Sequence, residues 1–130
     1  MHLYILGQDI RELDMGLEKN GEFLQSGLIR VSPEQYLSAI ADQLNKWNTS
    51  LDDIEGIYVV TGPGSFTASR VSITIANAIA FSKQIPVFPV ENRERYSLRE
   101  LYDLVKRKQI KPEEFVLPHY DRQPNITVAK

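Results

Sequence analysis

An apolar, β-rich run, Ile57–Val60, leads into Gly62-Pro63-Gly64, and a second apolar run follows from Phe66 to about Ser82. A glycine turn between a strand and a helix is where backbone N–H groups can converge on a phosphate, at the positive end of the helix dipole. This stretch has the position but not the parts. A Walker A loop would be longer and end in Gly-Lys-Ser/Thr, and no lysine is present. Pro63 removes one N–H donor from the middle of the turn. Ser65 is outside a Gly-x-Ser-x-Gly elbow, and no histidine–acid pair is evident to activate it. With no cysteine, and with His2 and His119 near opposite ends, neither a thiolate site nor a metal cluster is expected, and no cofactor is implied. The turn reads as a tight strand-to-helix connection, with Ser65 or Thr67 as the helix cap. A nucleotide-binding or hydrolytic role for it stays as the alternative.

The elements that must position this turn follow from the hydrophobic pattern. Leu3–Leu6 reads as a buried strand, Leu13–Leu17 as a second, and Asn20-Gly21 as a two-residue hairpin turn into a third from Phe23 to Val31. Ser32, Pro33 and Gln35 mark a helix start by capping box and proline at the first position. The helix carries Tyr36, Leu37, Ile40, Ala41, Leu44 and Trp47 at helical spacing, with Ser38, Asp42, Asn45 and Lys46 on the wet side. After the turn and the second helix, "IPVFPV" at Ile85–Val90 reads as a strand whose two prolines suggest an edge or a strand end. Ser97 and Glu100 box the start of a third helix with Leu98, Leu101, Leu104 and Val105 on one stripe. The order is βββαβαβα, an α/β domain with a mixed sheet and helices packed on it. That is the layout of one actin-like ATPase half, which is also the ribonuclease-H-like layout. Residues 1–110 read as this single domain and 111–130 as a tail.

Composition narrows the partners. The 130 residues suit one compact domain, and the net charge of −2 supplies no global basic field for nucleic acid. No apolar run is long enough for a secretion signal or a membrane span, so the cytoplasm is the default expectation.

The second helix holds only one charge before its last turn, Arg70, early in the helix where the dipole disfavours a cation, so a carboxylate nearby or on a partner chain is expected. Its apolar residues divide into Val71, Ile75, Ala78, Ile79 with Ala68, and Ser69, Ile73, Ala76, Ala80 on the other side. A helix that is apolar all round must be covered all round. One face would lie on the sheet. The other would be covered by the third helix or the tail, or, being mostly small side chains, would admit a partner helix closely.

"GPGSFTASRVSITIANAIAFSKQIPVFPV" resembles the signature of the TsaB family, also called YeaZ, whose members carry Gly-Pro-Gly-Ser-Phe-Thr-Gly-x-Arg before an apolar helix and a proline-containing strand. Gly62, Pro63, Gly64, Ser65, Phe66, Thr67 and Arg70 match, and Ala68 replaces the usual glycine. Pro118, Tyr120 and Arg122 are similar to the family's closing Pro-x-Tyr-x-Arg. Family members carry two actin-like halves, whereas this chain passes from one half to the closing tail. The acidic and hydroxyl-bearing turn of working nucleotide sites is also replaced, here by Leu6-Gly7-Gln8.

The resemblance implies a non-catalytic scaffold that binds the catalytic subunit TsaD, with TsaE as a further partner, in making threonylcarbamoyl-adenosine in tRNA, and that also forms homodimers. Both pairings would use the helices of the first half. Carried over, the contact falls to Ser69, Ile73, Ala76 and Ala80 of the second helix and to Ser38, Asp42 and Asn45 of the first. The expectation is that Ala76→Arg leaves the domain folded and abolishes pairing. TsaE contact would need the second half. A dimeric paralogue outside tRNA modification remains a further alternative.

Overall fold

The computed structural model describes residues 1–108 and 110–117. Five strands and three α-helices alternate as the pattern predicts: β1 His2–Asp9, β2 Glu12–Lys19, β3 Glu22–Ile29, α1 Tyr36–Lys46, β4 Gly56–Gly62, α2 Phe66–Lys83, β5 Val87–Glu91 and α3 Leu98–Arg107. The sheet runs β3-β2-β1-β4-β5. The first three strands are antiparallel, and β4 and β5 run parallel to β1.

Local chemistry sets the boundaries. Asn20 (φ 53°) and Gly21 (φ 82°) both take the left-handed conformation that a type I′ hairpin needs. The Ser97–Glu100 box is formed: Ser97 N–H donates to Glu100 Oε1 at 2.9 Å and Glu100 N–H to Ser97 Oγ at 3.3 Å. Pro33 starts a short 3₁₀ turn that runs directly into α1.

Alternation along the strands divides the core between two sides. Leu3, Ile5, Ile57, Val59 and Val87 pack under α1 and α2, together with Leu13, Met15 and Leu17. Tyr4, Leu6, Val60 and Val90 face the other way, under Leu98, Leu101, Tyr102 and Val105 of α3. Three layers result: two helices, the sheet, one helix. On the α3 side, Phe88, Tyr58 and Tyr4 stack across three neighbouring strands with ring centroids 4.4 and 4.5 Å apart, and Phe23 and Tyr102 extend the group.

Asp14 on β2 meets the start of α3. Burial pushes its carboxyl up to about 6, with the Glu12 charge adding, although the backbone N–H groups of Met15 and Leu98 donate to it. A carboxyl with a raised folded-state pKa favours folding while protonated. That advantage is complete below the unfolded-state range and is lost as pH rises through about 6. Asp14→Asn is therefore expected to raise stability by about 1 kcal/mol at pH 8, discounted for the half-exposed site, and by almost nothing at pH 4. Urea unfolding at the two pH values checks this.

Candidate functional site

The turn after β4 is built by amides. Gly62 has φ 122°, a conformation that favours glycine, and its peptide bond to Pro63 is cis. Gln8, at the end of β1, donates from Nε2 to Pro63 O and to Asn92 O, the latter at 3.0 Å. Asn92, just after β5, donates from Nδ2 to Gln8 Oε1 (2.8 Å) and Tyr96 O (3.0 Å), and its Oδ1 accepts from Tyr96 N–H (2.9 Å). Its backbone N–H donates to Gly62 O at 2.9 Å. Three strand ends are thus tied together by two buried side chains. Gly64 lies against Gln8 so closely that a Cβ there would sit 2.9 Å from both Gln8 Cβ and Gln8 O.

The donors that could greet an anion are partly taken. Ser65 N–H donates to Gln8 O at 2.8 Å, and Ser65 Oγ accepts from Ala68 N–H at 3.2 Å. Ser65, not Thr67, is the cap of α2. Thr67 is exposed. Among the described residues no group of His, Cys, Asp or Glu is arranged to hold a metal ion, and no helix is long and apolar enough to cross a membrane.

α2 departs from the expected division of its faces. Ser69, Ile73, Ala76 and Ala80 are buried against the chain's own sheet, Ala76 completely. Ala68, Ser72, Ile75 and Ile79 are buried beside them. At about 100° per residue Ser69, Ile73, Ala76 and Ala80 adjoin Ala68, Ile75 and Ile79 of the other expected group, and with Ser72 they make one inward arc of roughly 160°, while Val71 is half-buried at its margin and Ala78 lies outside it. The small side chains bring the helix close to its own strands, so they are closed to a partner. The Ser69 hydroxyl is buried without a hydrogen-bond partner among the described residues.

The open arc of α2 carries Phe66 (54% exposed), Thr67, Arg70, Thr74, Ala78 and Phe81 (84% exposed). Arg70 lies over the Phe66 ring, 5.0 Å from its centroid, as a cation–π contact. Among the described residues that ring, and no carboxylate of this chain, is what meets it. A groove of about 310 Å³ runs between Phe66, Thr67, Arg70, Val71, Thr74 and Ile75. On α1, Ser38, Asp42 and Asn45 are exposed as expected. Leu37, expected in the core, is 62% exposed, because Ala39 with Ile40 turns inward instead. Leu37 and Ala41 border a second groove of about 480 Å³ that reaches Ile79 of α2. One sequence signal marks the open side. Arg70 is the lone charge in the body of the helix, and Phe66, Thr74, Asn77 and Phe81 stand four, four, seven and eleven residues from it, on the same face. The matches at Pro118, Tyr120 and Arg122 lie outside the described residues.

Strand order 3-2-1-4-5, with two helices on one side and one on the other, defines an α/β domain of the ribonuclease-H-like, actin-like ATPase type. The family model described as "TsaD: tRNA N6-adenosine threonylcarbamoyltransferase" matches residues 29–117, and the chain belongs to that family. The likeness to TsaB proteins stands beside it. A tRNA threonylcarbamoyladenosine biosynthesis protein TsaB from Bacillus subtilis is 34% identical over 58 residues, covering 45% of this chain and 25% of its own length. A tRNA N6-adenosine threonylcarbamoyltransferase from Staphylococcus saprophyticus is 37% identical over 59 residues, covering 45% of this chain and 17% of its own length. The solved structure of YeaZ from Pseudomonas aeruginosa superimposes with a TM-score of 0.61 at 25% identity, covering 70% of this chain and 44% of that one. The matched part thus spans about a quarter or less of these curated relatives and under half of the solved structure.

Proposed function

We propose that this chain is a scaffold subunit of tRNA N6-adenosine threonylcarbamoylation, without catalytic chemistry of its own, that pairs with a TsaD-like protein or with a second copy of itself. The observation that carries this reading is the open arc of α2. It sets two exposed aromatic rings and a ring-stacked arginine on a long, well-buried helix, next to the exposed Leu37 of α1. Exposed aromatics and arginine on a rigid element are the composition of an interface centre. The contact surface in this reading is Phe66, Arg70, Thr74, Ala78 and Phe81, flanked by Leu37, Ser38, Asp42 and Asn45. The relatives' names supply the process. TsaE stays outside the reading.

The nucleotide alternative has less support, because Ser65 N–H and Ser65 Oγ are engaged inside the turn and Gln8 stands where it would have to open. Titration with ATP and Mg²⁺ is expected to give no binding heat. Sedimentation of the chain alone, and of the chain mixed with the TsaD-like protein of its own genome, tests the main reading. A dimer or a stoichiometric complex is expected. A monomer that also fails to bind the TsaD-like protein would overturn it.

A further inference from the structure

The outer edge of β5 is not bare. Val87 N–H donates to Glu113 O at 3.0 Å, and Glu113 N–H donates to Val87 O at 2.7 Å, as an antiparallel bridge. The next residue of β5 to turn its backbone outward is Pro89, which has no N–H, so a second ladder pair of this kind cannot form. The chain leaves the edge and is received by a side chain on α2. Asn77 donates from Nδ2 to Val116 O at 2.9 Å, and its Oδ1 accepts from Val116 N–H at 2.8 Å. The Val116 side chain is buried in the larger core cluster, while Phe115 and Leu117 on either side of it are exposed.

An amide that reads both backbone groups of one residue, beside a strand edge and an apolar pocket for that residue's side chain, holds a short peptide, here one that bends at Glu114 and Phe115, with little regard for the neighbouring sequence. Hollows of about 580 Å³ and 460 Å³ flank the segment, so it lies in the groove without filling it. We propose that the groove between Asn77 and the outer edge of β5 is a docking site for a short segment that bridges the edge at one residue, bends, and inserts one apolar anchor. Residues 113–117 occupy it as a detachable latch, and once they are released the same segment of a second copy can take their place. The tether gives the resident segment an effective concentration of millimolar order, so a free segment competes only when the resident anchor is spoiled.

The test uses the full chain and a labelled peptide of residues 111–117, Lys-Pro-Glu-Glu-Phe-Val-Leu. Val116→Asp spoils the resident anchor and leaves the groove intact. Fluorescence anisotropy is expected to show that this variant binds the peptide at least about tenfold more tightly than the unchanged chain does, and that adding Asn77→Ala abolishes the binding. In the unchanged chain the amides of Glu113 and Val116 are expected to exchange hydrogen together, and faster than those of β1 and β4. A folded Val116→Asp chain that ignores the peptide overturns the proposal. So does exchange of those two amides only together with the core, and this second measurement decides alone if the variant does not fold.

Discussion

Ala76→Arg is expected to unfold the domain, while Thr74→Arg, two residues away on the same helix, is expected to leave it folded and abolish partner binding. Ala76 is fully buried where α2 crosses the sheet, within the cluster that holds Ile5, Val59 and Ile73. An arginine there adds several heavy atoms to a close-packed site and a charge with no partner. Overpacking alone costs about 1–3 kcal/mol and a buried unpaired charge several more, so a loss above about 4 kcal/mol is expected. That is comparable to the whole stability of a small domain. Thr74 is exposed, and its side chain borders the groove beside Arg70. Substitution there should change stability by no more than about 0.5 kcal/mol. It would place a second, bulky cation next to Arg70 in the middle of the proposed contact, where its charge must be stripped of water on pairing without a partner to receive it. Thermal melts by circular dichroism and sedimentation of both variants give the comparison. A cooperative melt for Ala76→Arg near that of the unchanged chain would mean that α2 is turned the other way on its sheet.

The contrast between these two positions also shows where sequence reading stops. Element order and type were legible, because each element carries its own local signal: Asn20-Gly21 for the hairpin, Ser97 and Glu100 for a helix start, two prolines for an edge strand. The direction in which α2 faces was not. Two apolar groups on a helical projection look like two faces, and only the width of the sheet beneath decides whether both lie on it. Here the small-residue group lies inward and Ala68, Ile75 and Ile79 are buried beside it, while Ala78 stays on the open side. The small residues do signal close approach, but to β1 and β4 of the same chain. The amides that hold the turn were out of reach for a different reason. Gln8 and Asn92 are 84 residues apart, and no spacing rule links them. The departure at Leu6-Gly7-Gln8 was visible, but not that Gln8 would serve as a brace for Pro63 and Asn92.

That brace makes the other large prediction. Asn92→Ala is expected to destabilise the domain by about 3 kcal/mol, since it removes three side-chain hydrogen bonds in a buried setting and leaves Gln8 Oε1 and Tyr96 N–H without those partners. Gln8→Ala should cost about as much, roughly 3 kcal/mol, because it also removes three side-chain bonds, those to Pro63 O, Asn92 O and Asn92 Nδ2. The two changes should not add. Removing either amide already breaks the bond between them, so the double variant is expected to be more stable than the sum predicts by about 1 kcal/mol. Asn92→Asp separates donation from mere polarity. A carboxylate can accept from Tyr96 N–H but cannot donate to Gln8 Oε1 or Tyr96 O, so this variant should be less stable at pH 8 than at pH 5, where protonation of a buried carboxyl restores a donor. Urea unfolding of the unchanged chain and the four variants, with the pH pair for the last, measures every term. Strict additivity of Gln8→Ala and Asn92→Ala would mean that the two amides act separately. The entry into α2, and with it the direction of the open face, would then be set by the backbone bonds of Ser65 to Gln8 and of Asn92 to Gly62.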